Sequence, residues 1–322
     1  MCTAITHQSL VSPHLLHESA SPAEHFLSAL FDRLWTVYKS RVTYVQAYEK
    51  MVAAHGATFF NDHIAFRTFA WQRPTLGIVT LSRLFEVLGY RAAGSYQFED
   101  KHLAATHFQH ANPRLPKIFI SELQTWKLPA DCQEILRSTL AHHRQPLGDQ
   151  TLTELSQLST KSSETDRQHL LDEAANPFLT LPWPAPEKQY VLTLNKASQY
   201  AAWVLVHGYQ VNHFTSLVNS HGLENLSDLE STIAALKAVG VPMKAEIEGA
   251  VGTKLRQTAT EAVTIDVDIK ENGAPARMPW SYAYFELAQR DILTDSITGT
   301  ASRFEGFLGP QATNLFEMTR TK

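Results

Sequence analysis

The chain has 322 residues, 44% hydrophobic and 19% charged, which is ordinary for a folded protein long enough to bury a full core unaided. A formal net charge of −4, with no Lys/Arg cluster interleaved with aromatics, excludes a basic nucleic-acid surface, and no apolar run approaches the roughly 20 residues of a membrane span. Two cysteines, Cys2 near the N-terminus and Cys132, argue against a structural disulfide and for a reducing compartment.

Residues 1–20 (MCTAITHQSLVSPHLLHESA) lack the cationic start and apolar core of a secretory signal and the arginines of a transit peptide. The expectation is a loosely ordered tail on a cytoplasmic protein. His7, His14, His17, His25, His142 and His143 fall in tails or polar helices, where solvated surface is the simplest reading. Ser21-Pro22-Ala23-Glu24 is a helix start, with Ser21 as N-cap, Pro22 at the first helical position and Glu24 completing a capping box. Phe26, Leu27, Leu30, Leu34, Val37 and Tyr38 recur at helical spacing, and a second periodic stretch (Val45, Tyr48, Val52) stops at Gly56. Residues 21–56 are therefore read as a helical pair.

After Gly56 the hydrophobic period drops from about 3.6 to about 2, the change from helix to strand. HIAFRTF reads as a strand, LSRLFEVLG as an amphipathic helix, and YRAAGSYQF, LAATHFQH and KIFISEL as three more strands, a β-α-β-β-β unit over 57–124. Residues 125–200 form a mainly helical insertion, with helical patterns around Asp131–His142 and Ser163–Ala175 and a proline-punctuated loop, LPWPAPEK. The first order then returns over 201–295. VNHFTSLV is a strand, SDLESTIAALKAVG a helix capped by Ser227 with Glu230 three residues on, and MKAEIEGAV, AVTIDVDIK and WSYAYFELAQRD three further strands. Residues 296–322 are a C-terminal segment that could close as a lid. The predicted class is α+β, with two β-α-β-β-β modules forming one curved, partly open central sheet.

The repeat also aligns polar residues. In NDHIAFRTF a period of about 2 sets His63, Ala65, Arg67 and Phe69 on one face and Asp62, Ile64, Phe66 and Thr68 on the other. VNHFTSLV groups His213, Thr215 and Leu217; YAYFELAQRD groups Tyr282, Tyr284, Glu286, Ala288 and Arg290; KIFISEL ends in Glu122. Burying an ionised glutamate costs several kcal/mol unless it is paired or metal-bound, and a cation shared by His63, His213 and Glu286 removes that cost. Two imidazoles and one carboxylate leave positions open and mark non-haem Fe(II) oxygenases, whereas structural zinc takes a fourth protein ligand. Arg67, on the same strand face as His63, either grips a substrate carboxylate or pairs with Glu122 or another acid. Arg290 and Arg303 are candidates for a second substrate carboxylate or are surface charges. Tyr282 and Tyr284 are pocket wall or hydrogen-bond donors. His102, His107 and His110 read as structural or exposed, and His207 as loop surface or a donor behind His213.

A curved sheet with ligands on its first and last strands resembles the vicinal-oxygen-chelate superfamily of glyoxalases, extradiol dioxygenases and hydroxyphenylpyruvate dioxygenase. NDHIAFRTF, VNHFT, PKIFISEL and YAYFELAQRD together resemble the 2-oxoadipate dioxygenase/decarboxylase family, from about Tyr44 to the C-terminus. That resemblance implies an Fe(II) enzyme converting 2-oxoadipate, or a similar 2-oxo acid, and O2 to 2-hydroxyglutarate and CO2 in lysine-type amino-acid catabolism. It implies His63, His213 and Glu286 as metal ligands, with Arg67 holding the acid and Arg303, Glu122 and Tyr284 near substrate. The family does not use Glu122 as a ligand, which leaves it an orienting role. The alternatives are a glyoxalase-type isomerase or lyase with Glu122 as fourth ligand or base, and a non-catalytic small-molecule binder of the same fold. No pattern encodes oligomeric state.

Overall fold

The computed structural model describes residues 12–294, 299–308 and 319, so Cys2, His7 and most of the 296–322 segment lie outside the described residues. Helix α1 (Pro22–Arg41) begins with the expected capping box: the Glu24 amide donates to Ser21 Oγ at 3.3 Å and the Glu24 carboxylate accepts from the Ser21 amide at 2.6 Å. With α2 (Tyr44–Ala53) it buries an aromatic face, Trp35 and Tyr38 packing on Phe214 and Tyr48 on Phe285. The tail before α1 is not loose where it is described. His14 is 1% exposed, lies among the rings of Phe31, Trp35 and Phe214, and places Nδ1 2.7 Å from Asp32. An imidazole with its polar edge satisfied packs as an aromatic, which overturns the solvated reading of His14. The same holds for His143, half-buried beside Trp183 with Nε2 2.8 Å from the Tyr209 hydroxyl.

The first module comprises β1 (Phe60–Gln72), β2 (Thr75–Leu76), α3 (Ile78–Val87), β3 (Arg91–Phe98), β4 (Leu103–Gln109) and β5 (Lys117–Gln124). Five helices follow: α4 (Ala130–Leu140), α5 (Asp149–Ser156), α6 (Glu164–Leu179), α7 (Lys188–Ala197) and α8 (Gln199–His207). The second module holds β6 (Val211–Leu217), α9 (Leu229–Ala238), β7 (Leu255–Ala259), a hairpin of β8 (Thr264–Glu271) and β9 (Ala274–Ser281), and β10 (Glu286–Arg290). A small ribbon of β11 (Ile292–Thr294) and β12 (Ala301–Arg303) closes the described chain.

One curved sheet runs β3-β4-β5-β1-β6-β10-β7, with β2 on the end of β1. The two modules meet where β1 pairs antiparallel with β6, and each central strand has a parallel outer neighbour, β5 on β1 and β10 on β6. The fold is thus the α+β curved sheet that the repeat implies, although the second copy differs in detail. MKAEIEGAV makes only isolated bridges, Met243 to Thr260 and Glu248 to Gln257, and the strand lies further on, in β7. Gly249 interrupts the stretch at φ +85°, a conformation other residues avoid, with the Leu255 carbonyl too close for a side chain. AVTIDVDIK does form β8, but with β9 it leaves the main sheet, burying Val267, Ile269, Met278 and Trp280 on one face while Asp266 and Asp268 face out. WSYAYFELAQRD is split between β9 and β10. Helix α9 is capped by Asp228, whose carboxylate accepts the Ser231 amide at 2.7 Å, rather than by Ser227.

Candidate metal centre

Both central strands skip one residue. Asn61 pairs with Ser216 and His63 with Thr215, leaving Asp62 unopposed; Ala65 pairs with His213 and Phe66 with Val211, leaving Asn212 unopposed. A bulge bends its strand and re-aims the side chains beside it. Asp62 is thereby brought beside the histidine that follows it, its Oδ2 2.9 Å from His63 Nδ1, and Asn212 Oδ1 lies 3.0 Å from His213 Nδ1. Strict alternation puts Asp62 on the far face; the bulge is what changes that.

With Nδ1 engaged, each histidine presents Nε2 to the concave side of the sheet. His63 Nε2 is 3.3 Å from His213 Nε2 and 3.3 Å from Glu286 Oε1, and His213 Nε2 is 3.6 Å from Glu286 Oε2. Thr215 donates to Glu286 Oε1 at 3.2 Å, whereas Oε2 has no hydrogen-bond partner among the described residues although Glu286 is 1% exposed. An orphaned buried carboxylate oxygen facing two imidazole nitrogens suits a divalent cation. The three ligand atoms lie within 4.8 Å of one another, the one such cluster among the described residues.

The electrostatics around the cluster are unequal. Burial works against the Asp62 carboxylate, but Arg290, Lys117 and His63 together hold its pKa well below the usual range. Burial likewise opposes a charged His63, yet its hydrogen bonds to Asp62 and Glu286 raise its pKa. His213 is driven well below its usual value by burial and by the positive charges of His63 and Arg67.

Register decides what a fourth protein group is. Glu286 opposes Thr215, two residues after His213; the residue on β5 that opposes Ala65, two after His63, is Phe119. Glu122 pairs instead with Thr68, and its carboxylate accepts the Ile78 amide at 2.8 Å, capping the start of α3. An odd offset of three from Phe119 turns Glu122 to the other face of the sheet, so the structure does not bring it to the site.

The cluster opens into a cleft lined by Arg67, Ser121 and Tyr284 and by the rings of Phe98, Phe119 and Phe307. Arg67 is 2% exposed, with its guanidinium 5.0 Å from the Tyr200 ring and 5.1 Å from Trp203, and it donates to Thr319 Oγ1 at 2.8 Å. Tyr284 stacks on His213 with centroids 4.9 Å apart. Tyr282 lies elsewhere, against Arg41 and His207, because the backbone from Tyr282 to Phe285 is not extended strand. Arg303 is outside the cleft, over the Phe60 ring and paired with Glu305 at 2.8 Å. Arg290 is neither a surface charge nor a wall of the cleft: it is fully buried and grips Asp62 through Nε at 2.7 Å and Nη2 at 2.8 Å. His207 is buried with Nε2 2.9 Å from the Ser281 carbonyl, and His107 is buried against Phe307.

Sequence reasoning missed Asp62, Asn212, Phe119 and Phe307. The first two carried a readable signal, since an Asx residue precedes each histidine of the repeat. Nothing local marks Phe119 or Phe307.

A curved sheet of paired modules with a His-His-Glu cluster on its concave side defines an α+β curved-sheet protein bearing a site suited to a metal. A solved structure described as a glyoxalase-superfamily protein, from Ralstonia eutropha JMP134, superposes with a TM-score of 0.79 at 24% identity, covering 94% of this chain and 93% of that one. The chain belongs to the 2-oxoadipate dioxygenase/decarboxylase family, whose profile matches residues 28–317. A chloroplastic 2-oxoadipate dioxygenase/decarboxylase of Arabidopsis thaliana is 27% identical over 318 residues, 92% of this chain and 78% of that protein. The hydroxyglutarate synthase of Oryza sativa, solved in complex with 2-oxoadipate, shares the fold with a TM-score of 0.73 at 23% identity, covering 95% of this chain and 94% of that one. Among the described residues no helix is long and apolar enough to cross a membrane.

Proposed function

We propose that this chain is an Fe(II)-dependent dioxygenase converting 2-oxoadipate, or a 2-oxo acid of similar length, and O2 to 2-hydroxyglutarate and CO2. The observation that carries the reading is the convergence of His63 Nε2, His213 Nε2 and the Glu286 carboxylate with Phe119, not an acid, at the register position of a fourth ligand. A glyoxalase-type centre with Glu122 as ligand or base is disfavoured, since Glu122 caps α3 on the far face of the sheet. Family membership and the Arabidopsis relative's name support the reaction class.

His63, His213 and Glu286 would hold the iron, which supplies chelation of a 2-oxo acid and activation of O2. The other residues position and shield. Asp62 and Asn212 accept from the Nδ1 atoms, fixing both rings with Nε2 inward. The Arg67 guanidinium, packed against the Tyr200 and Trp203 rings and lining the same cleft, would bind a substrate carboxylate. Phe98, Phe119 and Phe307, which line the cleft, would exclude water from it, strengthening the Arg67 contact and keeping the shortened acid in place for the second half of the reaction.

The test is oxygen consumption by anaerobically Fe(II)-loaded protein on addition of 2-oxoadipate. One CO2 released per O2 consumed, with 2-hydroxyglutarate as product, is the expected result. Absence of uptake with 2-oxo acids of any length would overturn the oxygenase reading.

A further inference from the structure

We infer that Asp62 and Arg290 are positioning residues that tie the seating of the 304–307 strap to the orientation of His63. The inference rests on the metal-centre reading above and goes beyond it, because neither residue lies in the cleft lining.

Contacts form a closed loop through the buried interior. His63 Nδ1 meets Asp62 Oδ2 at 2.9 Å. Arg290 holds Asp62 with two of its nitrogens and uses the third, Nη1, to donate to the carbonyls of Phe304 at 3.1 Å and Gly306 at 2.6 Å. Lys117, itself buried, makes a parallel link: its Nζ pairs with Glu305 of the strap and lies 3.8 Å from Asp62 Oδ1. The strap then returns to the site, with the Phe307 ring 4.8 Å from His63, edge to face, and 5.1 Å from the Arg290 guanidinium. Two buried cations thus each join the carboxylate that orients His63 to the segment that covers His63.

The other half of the site has no such arrangement. Asn212 makes the same contact to His213 but is neutral, and its Nδ2 has no hydrogen-bond partner among the described residues. A neutral acceptor is therefore enough to orient a ligand histidine in this fold. The charge on Asp62 has a different use, holding Arg290 and Lys117 where they can bind the strap. A cation on Nε2 polarises the Nδ1–H donor and strengthens its bond to Asp62. By linkage, whatever favours the ordered Asp62–Arg290 pair favours the seated strap, and a seated strap favours metal binding by the same factor.

The experiment uses the full chain with Co(II) as an air-stable probe of the metal site. Amide hydrogen exchange is followed at Phe304, whose N–H donates to the Asp291 carbonyl, and Phe307, whose N–H donates to the Tyr96 hydroxyl. In the unmodified protein Co(II) should slow both by roughly 5- to 150-fold, the usual range of site-to-site coupling. The double variant Asp62→Asn/Arg290→Gln removes that ion pair, leaves Lys117 on Glu305 but without its Asp62 anchor, and creates an Asn-His pair like that of the second module. It should still bind Co(II), about 10- to 100-fold more weakly, with a shifted visible spectrum and no slowing at Phe304 or Phe307. Co(II) uptake by the unmodified protein without slowing overturns this inference alone. So does a folded double variant that keeps the slowing, the spectrum and the affinity. If the double variant fails to fold, the unmodified protein's exchange decides. Failure of the unmodified protein to take up Co(II) overturns this inference together with the metal reading.

Discussion

The two central strands begin from the same device and end with different duties. Each has an Asx-His pair in which a bulge turns the Asx side chain to its own histidine. On the second-module side the partner is neutral Asn212, the parallel neighbour supplies Glu286, and Tyr284 stacks on the ring. On the first-module side the partner is charged Asp62, held by two cations, and the parallel neighbour supplies Phe119 where symmetry would place an acid. The second module contributes two of the three converging groups, and the first contributes the third, with Arg67 and most of the apolar cover. A fully symmetric repeat would bring four protein groups to the centre; with Phe119 in place of an acid, three converge.

The strongest way to break this comparison is to remove the unique acid. Glu286→Ala should lose bound metal on dialysis and lower turnover by far more than the roughly 100-fold that an outer-shell partner costs; metal analysis and O2 uptake check both. Restoring symmetry with Phe119→Glu should have the opposite effect on metal and the same effect on rate, with metal retained against a chelator and turnover nearly abolished. Arg67→Lys keeps the charge but loses the planar fork stacked on Tyr200 and Trp203. Steady-state kinetics should show kcat/KM reduced about 10- to 150-fold, one charge-assisted hydrogen bond of about 1.5–3 kcal/mol, with metal content unchanged. Glu122→Ala should leave turnover unchanged and lower unfolding stability by about 1 kcal/mol, the usual loss of a helix cap, as read by denaturant titration. A loss of metal in that variant would restore the symmetric, four-ligand picture.

The smallest expected effect is on acid stability. Burial of His207 lowers its pKa from 6.5 to about 3, so the unfolded chain takes up this proton before the folded one does. The stability it secures is present above pH 6.5 and is lost as pH falls toward about 3, since burial disfavours the charged ring by more than the hydrogen bond that Nε2–H donates to the Ser281 carbonyl favours it. His207→Gln should flatten that acid limb in thermal melts.

The module order, the capping box at Ser21 and the three converging residues were legible because each rests on local chemistry or on period. His63 and Glu286 stand out as costly groups in apolar strands. Helix α8 was missed since every residue from Tyr200 to His207 is buried, and a helix apolar all round has no stripe to detect. Asp62 was read on the far face because simple alternation ignores bulges, and Glu122 was read near the site because sequence cannot fix which residue of a repeat matches which. Arg290 reads as a surface charge from sequence, for its partner stands 228 positions away. Phe119 carries meaning only through its register with Ala65.

The asymmetry is tested most directly by an anomalous-scattering map of crystals loaded anaerobically with Fe(II). One peak is expected, within bonding distance of His63 Nε2, His213 Nε2 and the Glu286 carboxylate, with no protein atom bound on the side of Phe119. A peak bonded to a fourth protein side chain, or one away from these three residues, would contradict the open three-ligand centre.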